Sequence, residues 1–239
     1  MSLHPAPAPA PPAATPEDGH VLCLQRDWLE RKTSVFHGFL RAGYFSDVLQ
    51  RAATEQTAWS WQPRSLCETD PTWKQLIPYL VVLNPAGEVL TYRRSPASGE
   101  NRLHGKRSIG LGGHVQRSDG ATPWPALRCA AQRELAEEFP AATSYTMQLA
   151  GLLNDDSTAV GSVHLGVVLV VALRHNVPAP PDGELAAAEF LPLASLFTFY
   201  DPGLHAEFED WSRLLLVGHV LVRENQPLTQ GPIVWASNS

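Results

Sequence analysis

A glycine-rich stretch followed by an acidic amphipathic helix constrains the fold of this chain more than any other feature. The stretch reads Ser108-Ile-Gly-Leu-Gly-Gly-His114, and after a polar loop a helical pattern extends from Thr122 to Phe139. Apolar residues recur along that pattern on one helix face, as in Leu127, Ala131 and Leu135. Glycines permit close backbone approach beside a ligand. This order predicts a helix that packs on a core, with its polar edge beside a glycine-lined strand.

Three carboxylates lie within one turn near the end of this helix. Glu134, Glu137 and Glu138 are spaced at i, i+3 and i+4, which places them on one helix face. Magnesium prefers oxygen ligands and accepts a few carboxylates together with water and substrate phosphate oxygens. Arg133 lies one turn before Glu137 and could hold that carboxylate by a charge-assisted contact. A solvated acidic helix end is the alternative, since like charges at this spacing cost only about 0.2–0.5 kcal/mol.

The glycine pair and the acidic turn together resemble a known motif. Gly112-Gly113, the intervening loop and Arg133-Glu-Leu-Ala-Glu-Glu138 are similar to the Nudix box, whose pattern is Gly-x5-Glu-x7-Arg-Glu-apolar-x-Glu-Glu-x-Gly-apolar. The second half of the box is matched closely. The chain departs from the pattern by an insertion within Gln116–Pro123, by Pro125 in place of the first Glu, and by Pro140 in place of the later Gly.

The resemblance extends outside the box, over roughly residues 20 to 222. Gln75-Leu-Ile-Pro-Tyr79, Tyr92-Arg-Arg94, Arg102-Leu-His104 and Val163-His-Leu-Gly166 look like a branch of Nudix proteins described as predicted phosphoesterases. The resemblance implies an α/β fold, a Nudix-type α/β/α sandwich with a mixed β-sheet between helices. Here an N-terminal helical extension would be added to that sandwich.

A Nudix resemblance also implies an activity and a cofactor. The activity is metal-dependent hydrolysis of a diphosphate bond in a nucleoside diphosphate linked to another moiety, with Mg²⁺ or Mn²⁺ as the cofactor. The expected metal ligands are Glu134, Glu137, Glu138 and the Gly113 carbonyl. The expected catalytic residues are Glu137, Glu138 and Arg133. A catalytically impaired binding or regulatory module, suggested by Pro125 and Pro140, and a diphosphate isomerase on the same fold remain alternatives.

Basic residues near the glycine stretch are candidates for substrate binding. Arginine matches phosphate geometry with two parallel donors, although ordinary solvated charge is the alternative for each residue. The candidate substrate-binding residues are Arg93, Arg94, Arg107 and His114. Arg93 is preferred, because its strand should run beside the glycine strand.

A further carboxylate could act as base or metal ligand from outside the box. The candidates are Asp119 in the inserted loop, where a turn-stabilising role is the alternative, and Glu184 or Glu189 later in the chain. Asp155 and Asp156 are expected to be turn residues with a metal role as the alternative. His164, within a strand pattern, is expected to be a packed histidine.

The chain divides into four expected segments. Residues 1–19 are expected to form a disordered Pro- and Ala-rich tail, without a signal-peptide pattern, and residues 20–72 an extension packed on the core. The Nudix domain is expected over 73–223, followed by a tail over 224–239. Within the extension, Gly38–Glu55 is predicted to be helical, and Trp59–Trp61 together with Arg64–Pro71 to be a linker.

Composition limits the partners and the compartment. The formal net charge is −6, which argues against a nucleic-acid polymer as partner and leaves a small nucleotide or diphosphate substrate. No apolar run approaches the 20 or so residues that cross a bilayer, so no membrane association is expected. Cys23, Cys67 and Cys129 lack metal spacing and are predicted to be buried free thiols in a cytoplasmic protein. A homodimer is one expectation for the assembly.

Overall fold

A mixed β-sheet organises the part of the chain that the structure describes. The computed structural model describes residues 19–42, 52, 54–95, 105–183, 185–196, 206–217 and 234–236. The described strands, all in one sheet, are β1 His20–Gln25, β2 Gly38–Arg41, β3 Trp59–Pro63, β4 Trp73–Leu83, β5 Glu88–Arg94, β6 Arg107–Ser108, β7 Tyr145–Asn154, β8 His164–Leu173, β9 Leu185–Pro192 and β10 Val234–Ala236. The described helices are α1 Arg26–Thr33, α2 Arg64–Cys67, α3 Pro123–Glu138, α4 Ala159–Val163, α5 Leu193–Leu196 and α6 Asp210–Val217.

A parallel pair of long apolar strands, β4 and β8, forms the centre of the sheet. Their register runs from Gln75 opposite His164 to Leu83 opposite Ala172. The other pairings between described strands are antiparallel, with β7 beside β8 and β1 beside β4. Both strands are buried along nearly their whole length, as expected for the central strands of a sheet covered on both faces.

A second arm of the sheet begins where the chain turns back after β4. Asn84 closes this turn by accepting the amides of Ala86 and Glu88 on its side-chain oxygen. The returning strand β5 then pairs with β9 along most of its length and with the short β6 through Tyr92 opposite Ser108. The predicted neighbourhood of Arg93 and the glycine-rich segment is therefore confirmed.

Helices cover both faces of the sheet. On one face α3 packs through Ala126, Leu127 and Leu135 into a core that also holds Leu76 and Leu169. On the other face, the α6 residues Leu215 and Leu216 join a separate core with Val81, Val168 and Phe208. The predicted α/β/α sandwich around a mixed sheet is confirmed.

The N-terminal region contributes strands where the sequence pattern predicted helix and linker. Gly38–Arg41 is a strand and pairs with β7, where Phe39 opposes Leu153. The prediction of helix was therefore wrong for these residues. Residues 43–51 and 53 lie outside the described residues. The predicted linker was also wrong, because Trp59–Pro63 forms β3 and pairs with β1. In both cases, hydrogen bonding to the edge of the sheet decided the structure, and not the local sequence pattern. The segment boundaries themselves remain predictions.

The cysteines differ in their surroundings. Cys23 and Cys67 are buried free thiols with their sulfurs 3.3 Å apart, whereas Cys129 is exposed on α3, so the prediction of burial was wrong for that residue. Cys129 lies on the solvent-facing side of α3 and not on the side that packs against the core. Within the described residues, every helix is too short or too polar to span a membrane.

Candidate active site

The glycine-rich segment Ser108–His114, called the glycine strand below although only β6 at its start is a regular strand, lies alongside β4. Leu111 exchanges backbone hydrogen bonds with Leu80, at 2.8 and 3.0 Å, and the Val115 amide donates to Leu76. Gly112 has φ of 140°, and a Cβ there would lie 1.8 Å from the carbonyl oxygen of Pro78, so this position requires glycine. The backbone of the glycine pair is thus pressed against the central strand.

Gly113 forms the floor beneath a carboxylate of α3. A Cβ at this position would lie 2.6 Å from Oε1 of Glu134. Glu134 is buried, with 9% of its surface exposed, and burial raises the pKa of its carboxyl group against the opposing effect of Arg133. The absence of a side chain at residue 113 therefore creates the space that Glu134 occupies.

The other two carboxylates of the acidic turn flank the same glycine pair. Glu138 is half-buried and accepts the Gly112 amide on Oε2 at 3.2 Å. Glu137 remains more open, with 59% of its side chain exposed, and contacts Arg133 at 3.2 Å. The predicted face of three carboxylates thus contains one buried, one half-buried and one exposed member.

Arg133 connects the acidic turn to the inserted loop. Its Nη1 donates to Glu134 at 2.7 Å and to Glu137 at 3.2 Å. Its Nε and Nη2 donate to the two oxygens of Asp119 at 2.9 and 3.0 Å, and Nη2 also donates to the His114 carbonyl. These contacts include the predicted one with Glu137. They fix the glycine strand, the loop and the helix relative to one another.

Asp119 is held in place by the turn that contains it. Besides its bidentate contact with Arg133, it accepts the Gln116 amide at 2.8 Å and closes a 3₁₀ turn over Arg117–Asp119. Its side chain is 5% exposed. The structure therefore places this candidate carboxylate in a positioning role toward Arg133.

The candidate phosphate-binding arginines lie together on β5 and β6, where each contacts a carboxylate. Arg93 donates to exposed Glu207 at 2.7 Å, and Arg107 donates to Glu189 at 2.6 Å. The candidate carboxylate Glu189 is thus the partner of a candidate arginine. Glu184 lies outside the described residues.

Arg94 belongs to a buried network that the sequence did not reveal. It contacts Glu209 at 3.1 Å, and Glu209 also accepts the hydroxyls of Tyr79 at 2.9 Å and Ser108 at 2.6 Å. Ser212 from α6 joins the same carboxylate. Because these donors satisfy Glu209, we interpret it as a structural residue that connects β6 to α6.

Comparison with known proteins assigns the family. No protein-family model matches the chain. Protein YmaB of Bacillus subtilis is 31% identical over 204 residues, which cover 83% of this chain and 96% of that protein. The solved structure of Tm1382, a protein assigned to the Nudix hydrolases, superposes with a TM-score of 0.65 at 27% identity and covers 84% of this chain and 98% of that one. The chain belongs to the Nudix hydrolase superfamily.

Two of the departures from the Nudix box are prolines, one in the first turn of α3 and one just after its end. Pro125, at the position of the first Glu of the box, is exposed in the first turn of α3, about 13 Å along the helix axis from Glu134. Pro140 follows the helix, and Phe139 still bonds back to Leu135 at 2.8 Å. Neither proline removes an oxygen ligand from the turn around Glu134.

The oxygen ligands of the acidic turn (Glu134, Glu137 and Glu138) suit a hard divalent cation. Glu134 and Glu138 offer carboxylate oxygens on either side of the glycine pair, and the glycine floor under Glu134 leaves no side chain over the Gly113 backbone. Oxygen ligands of this kind fit Mg²⁺ or Mn²⁺. Arg133, which now bridges Glu134 and Glu137, would have to share these carboxylates with the ion.

His114 faces a second histidine rather than the acidic turn. Its Nε2 lies 3.3 Å from Nε2 of His164, and Nδ1 of His164 lies 2.7 Å from the Val160 carbonyl. Burial, with the charge of Arg64 and the neighbouring His164, lowers the pKa of His114 to about 3. The ligand atoms of these histidines and of Glu68 all lie within 4.8 Å of one another. Sequence reasoning missed this group because its members come from three distant segments.

Asp155 and Asp156 are structural residues, as the turn interpretation expected. Asp155 is buried and accepts the Ser157 amide at 3.0 Å. Asp156 accepts Nζ of Lys74 at 2.6 Å and Nη2 of Arg26 at 3.0 Å.

An open cavity lies beside the inserted loop, with a volume of about 460 Å³. Trp59 and Trp61 meet edge to face with centroids 6.5 Å apart, and the Arg117 guanidinium lies 5.2 Å from the Trp61 ring. Arg117 belongs to the same 3₁₀ turn as Asp119, the partner of Arg133. The cavity is therefore connected through one turn to the acidic site.

Proposed function

We propose that this Nudix protein hydrolyses a diphosphate bond in a nucleoside diphosphate linked to another moiety. The observation that supports this most directly is the Glu134 carboxylate seated over Gly113, with Glu138 on the adjacent Gly112 amide. When bound there, Mg²⁺ or Mn²⁺ would neutralise phosphate charge and lower the pKa of a water molecule. A substrate of this kind and three free thiols fit a cytoplasmic location.

The residues around the acidic turn would bind the metal ion, orient its ligands and accept a proton. Glu134 and Glu138, with the Gly113 carbonyl, would hold the ion. Arg133 would orient Glu134 and Glu137, which it contacts through one nitrogen. Glu137, the most exposed of the three carboxylates, can change partner most easily and would serve as a further ligand or accept a proton from water.

The arginines on β5 and β6 would bind the phosphates of the substrate. Arg93 and Arg107 pair with carboxylates whose side chains are 45% and 53% exposed. The Arg93 pair is exposed on both sides and contributes only about 0–1 kcal/mol, so a phosphate can replace Glu207 at small cost. Glu189 is also exposed and can leave Arg107, although the Arg107 side chain is itself only 16% exposed. Arg94 is the exception, because its partner Glu209 is buried.

The cavity lined by Trp61 and Arg117 would receive the organic part of the substrate. Aromatic faces stack on planar ligands such as nucleobases, and a nearby guanidinium adds attraction. We expect Trp61→Ala to raise KM about 10-fold with kcat nearly unchanged, since the ring contacts Arg117 and is assigned here to substrate binding and not to metal binding. An unchanged KM would exclude this cavity as the substrate-binding site. The control is Trp73→Ala, because Trp73 packs against the buried Cys23 cluster, outside the cavity, and its loss should leave KM unchanged.

The proposed function is tested by measuring phosphate release from nucleotide sugars, dinucleoside polyphosphates, NADH and damaged nucleotides. With Mg²⁺ or Mn²⁺, we expect turnover of at least one substrate, and Glu138→Gln should lower kcat by about 100-fold or more without loss of folding. Glu30→Gln, on the surface of α1, is the matched control.

Two outcomes would replace the proposal. Tight nucleotide binding without turnover of any diphosphate would identify a binding module. Conversion of an allylic diphosphate into its isomer, without phosphate release, would identify an isomerase.

A further inference from the structure

A cluster of two histidines and a glutamate lies outside the carboxylate site. His164 begins β8, His114 follows the glycine pair, and Glu68 follows α2. Their nearest nitrogen and oxygen atoms lie within 4.8 Å of one another. Three segments that are distant in sequence thus bring together two imidazoles and a carboxylate, the ligand types of many zinc sites.

The spacing of the two imidazole nitrogens matches a shared metal ion. Their Nε2 atoms are 3.3 Å apart. Two nitrogens bound at 2.0–2.1 Å to one tetrahedral ion would lie about 3.3–3.4 Å apart. The two rings meet at 65° with their centroids 5.3 Å apart, so they are not stacked face to face.

The tautomer of His164 is fixed in the form that a metal ligand needs. Its Nδ1 lies 2.7 Å from the Val160 carbonyl, which can only accept, so Nδ1 carries the proton and Nε2 presents a lone pair. A backbone carbonyl on the second ring nitrogen is the usual support of a metal-bound histidine. Arg64 provides a comparable support for Glu68, since its Nε donates to Oε1 at 3.1 Å.

An unsatisfied buried amide lies beside this cluster. Gln75 has no exposed surface, and neither Oε1 nor Nε2 has a hydrogen-bond partner among the residues that the structure describes. It is the direct register neighbour of His164, so the two side chains emerge on the same face of the sheet. A buried polar group without a partner is costly, and a metal-bound water would supply the missing partner.

We propose that Glu68, His114 and His164 form a second metal site, which binds Zn²⁺ with a water as the fourth ligand. The exposed Glu68 side chain can rotate the short distance needed to complete the tetrahedron. Two imidazoles and one carboxylate favour zinc, whereas the oxygen-only acidic turn favours magnesium or manganese. The bound ion would connect Glu68 after α2, the glycine-rich segment and β8, and so hold the side of the Gly113 segment opposite Glu134.

Zinc binding to the metal-stripped full-length protein tests the proposal. Competition with a chromophoric chelator in millimolar Mg²⁺, which fills the acidic turn, should give one Zn²⁺ per chain. His114→Gln and His164→Gln should weaken binding about 100-fold or more, and Glu68→Gln about 10-fold or more. Because Glu68 is exposed, its variant should fold even if a histidine variant does not, and Co²⁺ should give the absorption of a tetrahedral site.

Matched variants separate this site from the acidic turn. His175→Gln, an exposed histidine beyond β8, should leave zinc affinity unchanged, and so should Glu138→Gln. Zinc binding that persists in Glu68→Gln and His114→Gln, or that is lost in Glu138→Gln, would overturn the proposal. A stripped protein that binds no Zn²⁺ at micromolar concentration would overturn it too, whatever the hydrolase assay shows.

Discussion

At the scale of single residues, the site depends on a missing side chain. Gly113 leaves room for the Glu134 carboxylate, whose oxygen would otherwise lie 2.6 Å from a Cβ. The neighbouring Gly112 has a positive φ and lies against Pro78. Both glycines are therefore explained by close approach, one to a carboxylate and the other to the backbone of the central strand.

Substitution of Gly113 tests this account. Gly113→Ala should displace the Glu134 carboxylate and weaken Mn²⁺ affinity and kcat/KM by about 10- to 100-fold, because the ion site loses its geometry. Titration calorimetry and steady-state assays measure both effects. Gly183→Ala, where the nearest atom to a new Cβ is 3.9 Å away, is the control. Unchanged metal affinity in Gly113→Ala would contradict the proposed ion position.

The raised pKa of Glu134 predicts a pH dependence. Metal ligation needs the carboxylate, so activity should fall on acidification at a higher pH than an ordinary glutamate would give, and more Mn²⁺ should move that limb to lower pH. In the metal-free protein the folded state binds this proton more tightly than the unfolded state. The stability that the protonated Glu134 contributes to the folded state is therefore lost as the pH rises through its raised pKa. An acid limb insensitive to Mn²⁺ would contradict this assignment.

At the scale of elements, Arg133 joins the inserted loop to α3. The loop that interrupts the Nudix pattern ends in a turn whose Asp119 grips Arg133 with two hydrogen bonds. The same guanidinium reaches Glu134 and Glu137. The insertion therefore supports the acidic turn from the side.

Breaking this connection should affect catalysis more than folding of the sheet. Asp119→Asn should lower kcat about 10-fold and the free energy of unfolding by about 1–3 kcal/mol, because Arg133 loses a charged partner that is almost fully buried. Asp27→Asn, at an exposed position of α1, should change neither quantity. Kinetics and urea unfolding provide the measurements, and a fully active Asp119→Asn would show that Arg133 needs no support from the loop.

At the scale of the whole molecule, Asp156 connects the N-terminal extension to the central strands, because it contacts both Arg26 of α1 and the buried Lys74 of β4. Lys74 is 1% exposed and its Nζ contacts Asp156 and the Gly161 carbonyl. Burial lowers the pKa of Lys74 to about 8 despite its acidic neighbour. Burial alone would raise the pKa of Asp156, but hydrogen bonds from Arg26 and Lys74 outweigh it and hold that pKa well below its usual range.

Loss of this carboxylate should destabilise the entire fold. Asp156→Asn leaves the buried Lys74 charge without its counterion and should lower the free energy of unfolding by about 2–3 kcal/mol, reduced from the fully buried case because Asp156 is 34% exposed. Glu30→Gln, which removes the other carboxylate partner of Arg26, should cost less than about 0.5 kcal/mol. Chemical denaturation measures both. Equal losses of unfolding free energy in Asp156→Asn and Glu30→Gln would show that the Lys74–Asp156 pair contributes no more than a surface ion pair.

The sequence by itself determined the elements whose pattern is local. The helix over Pro123–Glu138, the apolar strands β4 and β8 and the glycine stretch all follow from periodicity and residue type within a short window. The acidic turn was predictable for the same reason, because its three carboxylates lie within one helical turn. The family could be recognised from these local features.

Only the tertiary structure decided which distant groups meet. The pairing of Arg107 with Glu189, the strand at Gly38–Arg41 and the contact of His114 with His164 depend on sheet edges and register, which no local window contains. A local pattern states what a segment prefers, whereas partners are chosen by burial and by backbone groups on other strands. For that reason the carboxylates were found in the sequence, and the histidine cluster was found in the fold.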